Sequence, residues 1–176
     1  FEWLPSALGI DGLDYLLVDA PDPYYGGYSW YDVPPDQGPG IHRSRALLDG
    51  LFVEILANGY EPPHLGLFGF SQGCLMTLDW GGRSNLALAA YVGVSGYCWQ
   101  PNELAAELSA SAKRPVWLVT HGRFDELLPL QVTRAQVDTL IAAGLPVQFA
   151  VYDKGHTIDP HEELPHLRRF LAERLG

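Results

Sequence analysis

Short, largely apolar runs, several of them continuous, alternate along this chain with stretches of helical period. Residues 13–19, 65–68, 87–94, 115–120 and 147–152 are such runs, bounded mostly by Gly, Pro or Asp. They read as strands, and continuous apolarity marks strands buried on both faces. Between them, residues 41–58 bring Leu47, Leu48, Leu51, Phe52, Ile55 and Leu56 near one helical face, and Gly59 follows as a stop. Further helices are expected over 74–80, 101–109, 130–143 and 161–175. This alternation predicts an α/β fold, with a mostly parallel sheet and helices on both of its faces. Residues 20–40, rich in Pro, Gly and Tyr, read as one long loop, and loops of that length in compact domains usually serve function. No repeat, low-complexity tract or linker interrupts the pattern, so residues 1–176 are expected to form a single domain.

One segment adds chemistry to this pattern. Gly69-Phe70-Ser71-Gln72-Gly73 follows the run at 65–68 and opens the helix at 74–80. Strand, sharp turn and helix are the context in which G-x-S-x-G forms a nucleophile elbow. The two glycines are expected to remove the Cβ atoms that would collide where strand and helix nearly touch. Ser71 then faces the helix N-terminus, where free N–H groups favour developing negative charge, and the N–H of Gln72 becomes an oxyanion donor.

A serine needs a base to take its proton and a carboxylate to orient that base. The run at 115–120 leads into His121-Gly122-Arg123-Phe124-Asp125, and the run at 147–152 into Asp153-Lys154-Gly155-His156. Ser71, Asp125 and His156 therefore each lie just past a predicted strand end, in the chain order of α/β-hydrolases and at the sheet edge where such sites form. Among the rivals, His121 precedes Asp125 and reads as a structural histidine. His42, His161 and His166 read as solvated, and His64, after Pro62-Pro63, as structural. Asp153 and Asp159 flank His156 too closely in sequence to orient it from a separate strand.

These blocks, with Tyr152 to Ile158 around the histidine, resemble the phospholipase/carboxylesterase family, which includes acyl-protein thioesterases. Asp19-Ala20-Pro21, Tyr28-Ser29-Trp30-Tyr31-Asp32 and Val94-Ser95-Gly96-Tyr97 lend weaker support. The resemblance runs over nearly the whole chain and implies an α/β-hydrolase with a serine–aspartate–histidine triad at Ser71, Asp125 and His156. Two departures stand out. Cys74 replaces a glycine usual after the elbow. The family also has a first strand ending in a Leu-His-Gly-like loop that supplies a second oxyanion donor, and nothing of that kind precedes Phe1. The sequence is therefore expected to be N-terminally incomplete, lacking its first strand or strands.

Composition narrows the class of partner. A formal net charge of −10 argues against nucleic acid and anionic membrane surfaces, which require basic patches. The longest apolar stretch, near 86–94, is too short to span a bilayer. Cys74 and Cys98 do not suggest a disulfide scaffold and read as reduced thiols of a cytoplasmic protein. No metal-ligand spacing or phosphate loop is present, so no metal or cofactor is expected.

The expected substrate is a small-molecule ester or thioester, with acyl lipids among the candidates. Trp30, Tyr97 and Trp99 follow strand ends and are candidate substrate-binding walls, while Leu127 and Leu128 read equally as core or pocket wall. The alternative to a serine hydrolase is a non-catalytic binding protein on the same scaffold. Oligomeric state stays open.

Overall fold

The computed structural model describes residues 1–176. Its centre is a four-stranded parallel sheet in the order β3-β4-β5-β6 (Gly66–Phe70, Ala90–Val94, Trp117–Gly122 and Val147–Tyr152). Strand residues alternate between two packed faces. From β4 and β5, Tyr91, Trp117 and Val119 join a core with helices α2 (Gln37–Ala57), α3 (Gln72–Arg83), α4 (Pro101–Glu107) and α5 (Leu130–Ala142). Ala90, Val92, Val94 and Leu118 point the other way, against α1 (Leu4–Leu8) and α6 (Glu163–Leu175). Both faces are covered, which is why these strands carry apolar residues without polar alternation.

The register decides where the site forms. Phe70 lies opposite Val94, Val94 opposite Thr120, and Gly122 opposite Tyr152. The C-terminal ends of the strands therefore share one edge, and the loops leaving them stand side by side. Parallel sheets with α/β connections place their clefts at this edge.

Several expected boundaries shift, and one element is absent. Residues 13–19 form no strand. Their sequence is apolar enough, but β3 pairs only with β4 and the stretch has no ladder partner. Tyr15 packs against the α6 face, while Leu16, Leu17 and Val18 are exposed. The expected 20–40 loop instead contains an antiparallel hairpin, β1 (Asp22–Tyr24) and β2 (Gly27–Ser29), turned through Tyr25 and Gly26 at positive φ. Helix α2 begins four residues earlier than expected, and α6 starts at Glu163, leaving His161 in the preceding turn. His64 ends a short 3-10 turn and is exposed, in place of the structural role expected for it.

Candidate active site

Strand β3 delivers the chain to Ser71, whose backbone sits at φ 54 and ψ −115. Such a conformation costs a non-glycine residue about 1–3 kcal/mol unless its surroundings over-determine it. Here they do. The Ser71 N–H donates to the Val94 carbonyl at 2.9 Å, and the Ser71 carbonyl accepts from Cys74 and Leu75 as α3 begins. A Cβ on Gly69 would lie 2.1 Å from the Gly73 carbonyl oxygen, so strand and helix approach this closely only with glycine at 69. Gly73 plays a different part from the one expected: a Cβ there would meet only Trp30 Nε1, at 3.9 Å.

The other two loops converge on this turn. His156 Nε2 lies 2.9 Å from Ser71 Oγ, and its Nδ1 lies 2.8 Å from Asp125 Oδ2. A carboxylate only accepts, so Nδ1 carries the proton and donates it to Asp125. The Nε2 lone pair then faces the serine hydroxyl, the arrangement a general base requires. Gly122 makes the approach possible, because a Cβ there would sit 2.5 Å from the Lys154 carbonyl oxygen. The Phe124 N–H donates to that same carbonyl at 3.0 Å and stitches the acid loop to the histidine loop.

Asp125 is itself firmly held. Its Oδ1 accepts the N–H groups of Leu127 at 3.0 Å and Leu128 at 2.9 Å. Burial raises the carboxyl, but the His156 hydrogen bond and these two N–H groups outweigh it and leave Asp125 below the usual carboxylate range. His121 is fully buried with Nε2 3.7 Å from Asp125 Oδ2, and it donates from Nε2 to the Leu128 carbonyl at 2.8 Å. Burial pushes His121 below its ordinary range, against the opposing pull of Asp125, so it packs as a neutral ring. Asp153 pairs with Arg123 at the surface, and Asp159 Oδ2 accepts N–H groups of residues 161–163 at the start of α6. Neither makes a hydrogen bond to His156. His166, expected to be solvated, hydrogen-bonds Tyr152 through Nδ1 at 2.6 Å.

The candidate wall residues separate into two groups. Trp30, Tyr97 and Trp99 are half-buried and pack against the larger core beside the elbow helix. Leu128 is half-buried, whereas Leu127 is largely exposed on the rim of the acid loop. Three contributions escaped the sequence reading. The Gln72 side chain accepts from Trp30 N–H at 2.8 Å and from Ser29 Oγ at 3.1 Å, and donates to the Tyr31 carbonyl at 3.1 Å. It thereby ties the aromatic loop to the elbow. Phe70 packs its ring 5.0 Å from that of His156. Lys154 is buried beneath the histidine loop, and a lone lysine just past an apolar strand was the only signal for it. Cys74 and Cys98 are unpaired and buried, with burial pushing each thiol up to about 12. No group of three or more His, Cys, Asp or Glu side chains is arranged to hold a metal ion.

A family model described as phospholipase/carboxylesterase matches residues 21–175. The chain belongs to this family. Acyl-protein thioesterase 1 of Schizosaccharomyces pombe is 31% identical over 118 residues, which is 67% of this chain and 53% of that protein. The crystal structure of esterase PE8 superposes with a TM-score of 0.78 at 30% identity, covering 89% of this chain and 76% of the other. SOBER1 of Arabidopsis thaliana matches in fold, with a TM-score of 0.88 at 22% identity over 99% of this chain and 91% of its own. The phospholipase/carboxylesterase chain described here spans between about half and two thirds of the length of the curated relatives it matches. None of its helices is long and apolar enough to cross a membrane.

Proposed function

We propose that this chain carries the catalytic site of a serine hydrolase that cleaves carboxylic esters or thioesters through an acyl-enzyme on Ser71. The observation that carries this reading is the unbroken hydrogen-bond path from Ser71 Oγ through His156 to Asp125. Ser71 Oγ attacks the acyl carbon while its proton passes to His156 Nε2. Asp125 keeps the Nδ1 proton in place and stabilises the imidazolium. The tetrahedral oxyanion is met by the N–H of Gln72, the first residue of α3, where no preceding helical carbonyl occupies the donor. Collapse of the intermediate expels the alcohol or thiol, which takes the proton from Nε2. Water then repeats the attack with His156 as base and returns Ser71 to its free form.

Trp30, Tyr97, Trp99 and Leu128 would line the acyl side, with Leu127 at the rim, since aromatic and apolar walls suit an acyl chain. Two unpaired buried thiols fit a cytoplasmic setting. A fluorophosphonate probe tests the mechanism directly. Ser71 should become covalently labelled, and His156→Ala should slow the labelling by orders of magnitude. Absence of label at Ser71, or labelling that does not depend on His156, refutes the proposal and returns the non-catalytic reading. A series of esters and thioesters of graded chain length then identifies the preferred acyl group.

A further inference from the structure

Lys154 is 5% exposed and Glu163 is fully buried, an unusual fate for either residue type. The lysine has three donors and three acceptors close by. Its Nζ lies 2.7 Å from the Glu163 carboxylate, 2.6 Å from the Thr157 carbonyl oxygen and 3.0 Å from Ser95 Oγ. Burying an ion pair carries a large desolvation cost, and a well-packed apolar pair of similar volume often serves stability as well or better. The location of these contacts gives the pair another use.

Two of these contacts fix the histidine loop, and the third ties it to a neighbouring strand end. Thr157 directly follows His156, so the ammonium holds the Thr157–Ile158 peptide, one residue beyond the ring. Glu163 also accepts the Asp159 N–H at 2.8 Å, which pins the return of the loop into α6. Ser95, a non-glycine residue at φ 47, directly follows Val94, whose carbonyl holds the Ser71 N–H. One side chain therefore connects the loop bearing His156 to the strand end bearing the Ser71 anchor. We infer that Lys154, paired with Glu163, is a positioning residue that sets the distance between His156 and Ser71. It touches neither substrate nor reacting atoms. The inference rests on the serine-hydrolase reading above.

The test compares wild type, E163Q and K154M/E163Q. Each is labelled with a fluorophosphonate under single-exponential conditions and assayed on one short-chain ester. The double variant removes both charges together, so no buried ion is left unpaired. It should label to full amplitude, with its labelling rate constant and kcat lowered roughly ten- to a hundredfold and KM within about twofold. E163Q keeps an acceptor at 163 but loses the counter-charge, and should show a smaller loss of the same kind. A merely structural pair would lower the amplitude, through loss of folded protein, and leave the rate constant of the remaining molecules unchanged. That result in either variant overturns the inference while leaving the serine-hydrolase reading intact. Failure of the wild type to label at Ser71 overturns both. Should the double variant not fold, E163Q alone decides by the same two quantities.

Discussion

Residues 13–19 and strand β5 are both short apolar runs, and they meet opposite fates. In β5, Trp117, Leu118 and Val119 are at most 1% exposed, whereas Leu16, Leu17 and Val18 are 64%, 49% and 45% exposed. The two runs differ in chemistry, since residues 13–19 include Asp14 and Asp19 and β5 has no carboxylate, and they differ in pairing. Strand β5 lies between β4 and β6, with every pairing in register, while no strand pairs with residues 13–19. An apolar run gives a segment the capacity to be a strand, and registered pairing with a neighbour makes it one. Regular pairing orders the sheet edge at which Ser71, His156 and Asp125 meet.

The largest expected effects come from breaking the site at that ordered edge. Ser71→Ala and His156→Ala should each remove nearly all esterase turnover, on the order of 10⁶ in kcat, because nucleophile and base act as a unit. Asp125→Ala should cost less, roughly 10⁴, since precedent in a serine protease puts the orienting acid below its partners. Leu17→Ser, in the unpaired run, should leave kcat within about twofold. Steady-state rates on a single ester rank all four variants. A Leu17→Ser enzyme as impaired as Asp125→Ala would show that the first segment shapes the site after all.

The same contrast explains what could be read from the sequence. That Ser71, Asp125 and His156 would be brought together was legible because each follows a largely apolar strand and their order along the chain is distinctive. Strands β3 to β6 and helices α2 to α6 were legible for the same reason, to within a few residues at their ends. The 13–19 stretch was misread because pairing is a property of two segments and periodicity of one. The hairpin at 22–29 was missed because its three-residue strands carry mostly Pro, Tyr and Gly and too little alternation to register. Gly73 was assigned the steric role that belongs to Gly69, since a motif does not show which of two glycines faces the crossing. Gln72 was read only for its backbone, and Lys154 was given no role. The partners of Gln72, Ser29, Trp30 and Tyr31, are distant in sequence, as is Ser95 among the partners of Lys154.

Stability sharpens the comparison at an intermediate scale. Leu118→Ala removes a fully buried side chain between β5 and α6 and should cost about 2–5 kcal/mol. Leu17→Ala should cost less than about 0.5 kcal/mol, as exposed positions do. Urea denaturation of the two variants measures both, and equal losses would mean that the first segment packs against something in solution.

The two elbow glycines divide in the same way on a finer scale. Gly69→Ala forces a methyl against the Gly73 carbonyl and Thr77 Oγ1, 2.1 and 2.6 Å away, in a crossing that has no room to open. Overpacking of this kind typically costs about 1–3 kcal/mol, and here it should displace Ser71 and lower kcat as well. Gly73→Ala meets only the Trp30 indole nitrogen at van der Waals distance and should fold normally. Paired measurements of Tm and kcat separate the two, and an intact Gly69→Ala enzyme would contradict the close approach of strand and helix.

The smallest effect is a pH dependence confined to one carboxylate. Asp125 lies below the usual carboxylate range when folded, so the unfolded chain binds its proton more readily than the native one. Stability then rises with pH through this window: the contribution is fully present above the unfolded value, about 3.9, and is lost as pH falls through the lower folded value. Asp125→Asn has no such proton to bind. The gap in unfolding free energy between wild type and Asp125→Asn should therefore close as pH falls from about 5 through the lower folded value. Each unit by which the folded carboxyl is depressed contributes about 1.4 kcal/mol to that gap. Taking the difference between the two proteins cancels the other carboxylates, which titrate in both. A gap that widened towards low pH would mean that Asp125 is protonated in the native state. An Asp125 that keeps its proton in this way could not stabilise the imidazolium of His156 by charge, and the neutral acid would orient the ring only.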